Sequence, residues 1–282
     1  MSPPWIKPTN WEHVLAELPA GLSMRQLHVI DGLRYACAMA EIAYARLWRH
    51  LQALAASFDD RSEGDMRPIA QAMLDAWSIV DHAARFQTLL PQLQGLPRVE
   101  KGLWIRQLDS FLVGIEDLRN GVQHITNNRE GVLPERQIWG TLIWCKVSPE
   151  GQNFGATFAA VPGISKEGDQ IFFLGGPARP APPGAVQLEA WGHRVSLGRI
   201  TLALGGAAAR LDALVRAGGL TGIGEAAPTI KGRDWLTQGT MYLLVETTAP
   251  GQQGTPPERL DEILRAEGGI RIPVDGEQDR TP

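Results

Sequence analysis

The chain has 282 residues, 44% hydrophobic and 21% charged, so it is long enough for two cores and globular in composition. Its net charge of −4 at pH 7 argues against a protein that coats nucleic acid through a broad basic surface. Two cysteines in separate predicted elements, no apolar run near the ~20 residues of a membrane span and no signal-peptide layout favour a soluble cytoplasmic protein without a membrane partner.

The first long helix begins with a complete set of start signals. Ser23 is the predicted N-cap, Gln26 completes a capping box, and Leu22 and Leu27 form a hydrophobic staple. Apolar residues follow at helical spacing, at Ile30, Leu33, Cys37, Ala40, Tyr44, Leu47, Leu51 and Leu54. This pattern predicts a long helix of a bundle, with Glu41 as a solvated side chain at the edge of the stripe.

A second helix is predicted from about Asp65 to Leu90, where Pro91 stops it. Its apolar stripe consists of Ile69, Met73, Trp77, Val80, Ala83 and Leu90. Asp81 and His82 are neighbours on this helix, but adjacent helical side chains diverge by about 100° and no further His or carboxylate joins them. We therefore reject a metal site there, and we expect no metal or other cofactor.

A third helix is predicted after Gly95-Leu96-Pro97, and it contains a group of polar residues near its end. Its apolar stripe consists of Trp104, Leu108, Phe111, Ile115, Leu118, Val122 and Ile125. Arg119 lies on the shoulder of this stripe, while Asn120 and His124, four residues apart, share a face turned away from it. Gly121 weakens the helix by about 1 kcal/mol relative to Ala, and it allows another group to approach closely.

The sequence changes character after residue 130, where alternating apolar residues predict strands. They are predicted at Gln137–Val147, Asn153–Val161, Gln170–Leu174, Ala185–Trp191, Arg194–Leu204 and Met241–Thr247, with a helix at Ala207–Ala217. We therefore predict an α+β fold. An N-terminal antiparallel helical bundle (1–130) precedes a mainly antiparallel β-rich domain with one or two helices (131–250) and a Gly/Pro-rich tail with a short helix (251–282).

The pattern Arg119-Asn120-x-x-x-His124 resembles the active-site motif of the HEPN superfamily, in which Arg, a polar residue and His close a helical bundle. The resemblance covers roughly the first 130 residues only. It implies a metal-independent endoribonuclease with Arg119, Asn120 and His124 as catalytic residues, RNA as a partner and a homodimer formed through the helical domain. It further implies a toxin or phage-defence effector with a protein trigger or antitoxin, and an acid such as Glu41 within reach of the site.

The chemistry of such a site can be stated from the residues themselves. Cleavage by a ribose 2′-OH needs a proton acceptor, a proton donor and positive charge on the phosphorane oxygens. An imidazole such as His124 exchanges protons near neutral pH, the guanidinium of Arg119 suits phosphate oxygens, and the amide of Asn120 can orient either. Arg119 and His124 point about 140° apart on one helix, so two copies around a two-fold axis would be needed to bring them together.

A structural interpretation of the same residues stays open. Arg and His are favoured in the last turn of a helix because they complement its dipole, and Asn127-Asn128 resembles a helix stop. The protein would then be a non-catalytic dimerisation or partner-binding module on the same scaffold. The acidic net charge favours this alternative, and the spacing of Arg119, Asn120 and His124 favours the ribonuclease.

Overall fold

The structure is a computed structural model, and it describes residues 9, 11, 14, 15, 18–58, 67–123, 139–147, 154–162, 170–175 and 185–226. The helices are α1 (Met24–Ala56), α2 (Arg67–Leu89), α3 (Arg98–Phe111), α4 (Ile115–Gln123) and α5 (Leu197–Arg216). The strands are β1 (Thr141–Val147), β2 (Phe154–Val161), β3 (Gln170–Gly175), β4 (Val186–Ala190) and β5 (His193–Ser196). Helices followed by an antiparallel sheet confirm the predicted α+β class. None of the helices in the described part of the chain is long and apolar enough to cross a membrane.

The capping box predicted at the start of α1 is present. The Gln26 backbone N–H donates to Ser23 Oγ at 3.4 Å, and Gln26 Oε1 accepts from the Ser23 backbone N at 3.0 Å. The same Gln26 side chain is buried, and its Nε2 donates to the backbone oxygens of Gln94 at 3.1 Å and Thr221 at 2.9 Å. One amide therefore caps α1 and joins it to two segments that are distant in sequence.

Helices α1 and α2 form an antiparallel pair. Gly32 near the start of α1 faces Leu89 at the end of α2, because a Cβ built on Gly32 would lie 2.7 Å from Leu89 Cδ1. Further along α1, Arg46 Nη2 lies 2.5 Å from Oδ1 of the buried Asp75, near the start of α2. The apolar stripes of both helices are buried as their helical spacing predicts, except that Trp77 of α2 is only partly buried.

The five strands form one antiparallel sheet in the order β3-β2-β1-β4-β5. Trp144 of β1 is fully buried and stacks on Phe158 of β2, with ring centroids 5.5 Å apart. Trp144 is also the register partner of Val186 in β4. This aromatic pair anchors the centre of the sheet to the interior.

The helices and the sheet share one hydrophobic core. Gln52 of α1 donates to the Cys145 backbone oxygen of β1 at 3.0 Å, and the thiol of Cys37 donates to the Leu204 backbone oxygen of α5 at 3.4 Å. The compact unit built on this core runs from Met1 to Ala226. The predicted boundary at residue 130, the strand at 241–247 and the tail at 251–282 lie outside the described residues.

The prediction of a single third helix is wrong. The structure has two shorter helices there, α3 and α4, which are separated by a turn. Gly114 has φ +84°, a left-handed conformation that favours glycine and ends helices. Leu112 caps α3 through its N–H to Leu108 and Asp109, and its side chain is buried. The break leaves Phe111 50% exposed, whereas a continuous helix would have buried it with the rest of the stripe.

The strand predicted at Arg194–Leu204 is also wrong beyond Ser196. Ser196 is the N-cap of α5, where its side chain accepts from the Arg199 backbone N at 3.4 Å. The buried residues of α5 follow helical spacing, at Leu197, Ile200, Thr201, Leu204, Ala208, Leu211 and Val215. The helix predicted at Ala207–Ala217 is the second half of α5. The alternation of Val195 and Leu197 favoured a strand when the sequence was read locally.

Candidate functional site

Helix α4 holds two of the three motif residues. Ile115 and Leu118 are fully buried and fix the helix on the core. Arg119 is therefore only partly exposed, at 35% of its side chain, and Asn120 points to solvent. His124, the third residue of the predicted site, lies outside the described residues.

Arg119 forms an ion pair with α2. Its Nε lies 3.3 Å from Asp81 Oδ1, and Asp81 Oδ2 accepts from Arg85 Nε at 2.7 Å. Among the described residues Arg119 Nε is buried and has no hydrogen bond of good geometry, so the Asp81 carboxylate is its electrostatic compensation. Both contacts use Nε, and neither one occupies the terminal nitrogens of the guanidinium groups. Within the described part of the chain, Asp81 thus holds two arginines whose terminal nitrogens are left as donors for a ligand.

A pocket of about 390 Å³ lies between α1, α2 and α4. It is lined by Gly32, Tyr35, Ala36, Met39, His82, Arg85, Thr88, Leu89 and Arg119. These nine described residues include two guanidinium groups and one imidazole, and none of them is acidic. Such a lining suits an anion, and bidentate Arg contacts suit phosphate in particular.

The imidazole of His82 has an altered protonation equilibrium in this pocket. Burial lowers its pKa, the neighbouring Arg85 cation lowers it further, and the Asp81 carboxylate opposes both with a smaller effect. The lowered pKa keeps His82 neutral at neutral pH. A neutral imidazole can accept a proton or a hydrogen bond.

Sequence reasoning missed His82 and Arg85 as site residues. The Asp81-His82 pair was assessed as a metal site and rejected, and within the described residues no group of three His, Cys, Asp or Glu could hold a metal ion. The useful signal was a different one. Asp81 and Arg85, spaced i, i+4, carry opposite charges on the helix face that meets Arg119.

The hairpin between β4 and β5 supports α4 from the other side. Trp191 at its turn has φ +57°, which is uncommon for a residue with a side chain, and its indole lies against Gly121. Next to it, His193 Nδ1 lies 3.7 Å from Asp117 Oδ2. The close approach expected at Gly121 is therefore made by the Trp191 side chain.

The Glu41 side chain does not line the Arg119 pocket, and it makes two hydrogen bonds where the sequence predicted a solvated position. Its Oε1 accepts from the Thr9 backbone N at 2.7 Å, and its Oε2 accepts from Trp11 Nε1 at 3.0 Å. Both carboxylate oxygens are thus used to attach the segment that precedes α1. The interpretation of Glu41 as a solvated side chain was wrong, since it misses this tethering role.

Comparison with models of protein families, with curated proteins and with solved structures finds no match for this chain. The geometry of the site is therefore the basis for a functional proposal. It consists of Arg119 paired with Asp81, and of Arg85 and His82 on the wall of the same pocket.

Proposed function

We propose that the protein is a metal-independent endoribonuclease of HEPN type, acting in the cytoplasm as a toxin or phage-defence effector. The observation that carries the proposal is the shared pocket of Arg119, Arg85 and His82, which offers two guanidinium groups and an imidazole to one anion. RNA cleavage by 2′-OH attack develops negative charge on the phosphorane oxygens. Positioned cations stabilise that charge in the transition state, and no metal ion is needed.

Each motif residue has a role in this proposal. Arg119 stabilises the phosphorane, and its position is set by Asp81. Asn120 is exposed on the same helix, where its amide can orient the substrate or an imidazole. His124 exchanges a proton as acid or base. The products then carry a 2′,3′-cyclic phosphate, or its opened form, and a free 5′-OH.

A homodimer through the helical domain is part of the proposal. Arg119 and His124 diverge by about 140° on a straight helix, so one copy is expected to form an incomplete site. Ile42 of α1 supports such an interface, because it is apolar and 55% exposed. Tyr35 and Met39 lie on the same face of α1 and line the Arg119 pocket, so the interface adjoins the site and leaves these two side chains to the pocket.

The experiment is RNA cleavage by the full-length protein in excess EDTA. We expect cleavage of RNA but not of DNA, and severe loss of turnover in Arg119→Lys, which keeps the charge but not the planar fork. Arg49→Lys is the matched control, because Arg49 is exposed on α1 and donates to the Ala45 backbone oxygen of its own helix, outside the pocket. A strict Mg²⁺ requirement or a fully active Arg119→Lys protein overturns the mechanism.

The alternative is a non-catalytic dimerisation or partner-binding module. It is favoured by the Asp81–Arg119 pair, which partly neutralises the motif arginine, and by the net charge of −4. Under this alternative no RNA is cleaved in any buffer. Substituting Ile42 by Lys then disrupts self-association, whereas Arg119→Lys leaves self-association unchanged.

A further inference from the structure

The proposed chemistry needs two proton-transfer groups, and the motif supplies one imidazole. The attacking 2′-OH must lose a proton while the leaving 5′-oxygen gains one. Asn120 cannot serve, because an amide does not titrate, and Arg119 stays protonated at any working pH. A two-fold dimer brings a second His124, whereas a group outside the motif would give the pocket of each copy its own proton acceptor.

His82 has the position that such a group requires. It lines the same pocket as Arg119, although it comes from α2 and lies 37 positions before Arg119 in the sequence. Its neighbours Asp81 and Arg85 are the two residues that form the ion-pair chain with Arg119. The phosphate ligands and this imidazole are thus attached to one rigid pair of helices.

We propose that His82 is the proton acceptor for the 2′-OH, and that Arg85 is a second phosphate ligand beside Arg119. This inference rests on the proposed ribonuclease function and extends its site to α2. The two guanidinium groups approach the phosphate from α2 and α4, so the phosphate is bound between two helices.

The charged and titratable groups around His82 suit this role. Arg85 on its own helix favours the neutral imidazole and Asp81 opposes it, while Arg119 lines the same pocket from α4. Tyr35 is the titratable residue that lines the pocket from α1. Because burial also lowers the His82 pKa, the free imidazole is present at pH 7 and able to accept a proton.

The step balances without any additional reagent. The 2′-OH proton passes to the free ring nitrogen of His82 as the O2′–P bond forms. The P–O5′ bond breaks, and O5′ takes its proton from a separate donor, the role that the proposed function gives to His124. His82 then returns its proton to water, so no oxidant or metal takes part.

The other wall of the pocket indicates the substrate class. Tyr35 and Met39 are 49% and 44% exposed beside the basic residues, so a nucleobase can pack on them while its phosphate meets the arginines. A base can reach such a wall only when it is unstacked. Single-stranded RNA is therefore the substrate class, which also agrees with the net charge of −4.

The binding test is an NMR titration of the full-length protein with adenosine 3′-monophosphate, following the imidazole signals of His82. We expect these signals, identified by their absence in His82→Gln, to shift, and the His82 pKa to rise as the phosphate binds. Arg85→Ala should weaken binding about tenfold or more, and adenosine without phosphate should bind more weakly than its 3′-monophosphate. His28→Gln is the control, because His28 is an exposed residue of α1 outside the pocket.

The catalytic test compares RNA turnover of His82→Gln with that of the wild type. We expect a loss of about 10²–10⁴-fold in kcat, the range of general base catalysis, and loss of the acidic limb of the kcat/KM profile. Binding of adenosine 3′-monophosphate should survive within a few-fold. That result separates a proton-transfer role from a structural one.

The outcomes distinguish this inference from the function on which it rests. Wild-type cleavage with an unaffected His82→Gln protein overturns the role of His82 and leaves the ribonuclease standing. A wild type that cleaves no RNA overturns the ribonuclease and the proton-transfer role together. The phosphate site of His82 and Arg85 is decided by the titration alone, and unshifted His82 signals at millimolar nucleotide overturn it.

Discussion

Trp191 lies so close to Gly121 that a Cβ at position 121 would come within 2.6 Å of Trp191 Cδ1. The contact joins the hairpin of the sheet to the helix that carries Arg119. Three atoms of the indole, Cδ1, Cγ and Nε1, lie 2.6, 2.7 and 2.9 Å from that Cβ position, so the ring as a whole would have to shift. The absence of a side chain at position 121 therefore allows Trp191 to pack directly against α4.

We predict that Gly121→Ala destabilises the protein by about 1–3 kcal/mol, the usual cost of overpacking. The added methyl group gains about 1 kcal/mol in helix propensity, which is too little to offset a clash with a ring. Urea unfolding measures the difference in the free energy of unfolding. Gly102→Ala in α3 is the control, since its Cβ would meet nothing within 4 Å and the change should be neutral or stabilising. Equal effects of the two substitutions would refute the steric argument.

We predict that Asp81→Asn lowers the pKa of His82 further. The Asp81 carboxylate raises this pKa, so removing its charge leaves burial and Arg85 acting alone. NMR titration of the imidazole measures the change. Asp212→Asn is the control, because Asp212 forms the same i, i+4 pair with Arg216 but does not line the pocket. A His82 pKa that rises in Asp81→Asn would contradict the assigned environment.

We predict that His82 makes the protein less stable as the pH falls below about 6.5, the ordinary pKa of histidine. The folded pKa is lowered, so in this range the unfolded chain binds more protons than the folded chain. The free energy of unfolding then rises with pH, and acid removes this contribution as the pH falls towards the folded pKa. His82→Gln should flatten the slope between pH 7 and pH 5 in urea unfolding. Identical slopes in the two proteins would show that His82 does not contribute.

We predict that residues 1–130 alone fail to form a stable bundle, whereas residues 1–226 fold. Helix α5 shares the hydrophobic core with α1, and Cys37 donates to the Leu204 backbone oxygen in it. Loss of α5 would expose this buried face of α1 to water. Circular dichroism and thermal unfolding of the two truncated proteins test the prediction. A cooperative unfolding transition in the 1–130 protein would contradict the prediction, because it would show that the apolar faces of these helices bury one another without α5.

Local signals predicted much of the fold. The Ser23 capping box and the end of α2 before Pro91 depend on neighbouring residues, and both are confirmed. The break at Gly114 and the start of α5 at Leu197 were missed. Each depends on which side chains become buried in the folded protein. After α3 it is Leu112 that is buried and not Phe111, and in α5 the buried residues follow helical spacing and not alternation.

The residues of the candidate site also fall into those that the sequence could identify and those that it could not. Arg119 could be found from the sequence because its motif lies within one helix. His82 and Arg85 could not, because they meet Arg119 only once α2 packs beside α4. His124 stays a prediction, and so does the composite site that would join two copies.

The hydrogen bonds of the buried Gln26 amide can form only in a fixed order as the chain is synthesised. Its partners at Gln94 and Thr221 lie 68 and 195 residues downstream, and Ile223 adds a third contact at 3.1 Å to Oε1. When only α1 and α2 have been synthesised, the hydrogen-bond partners of this amide are still missing. Burying a donor without an acceptor costs free energy. The last contacts can form only when residues 221–223 have left the exit tunnel. The final closure of this core therefore waits until synthesis has passed its far end.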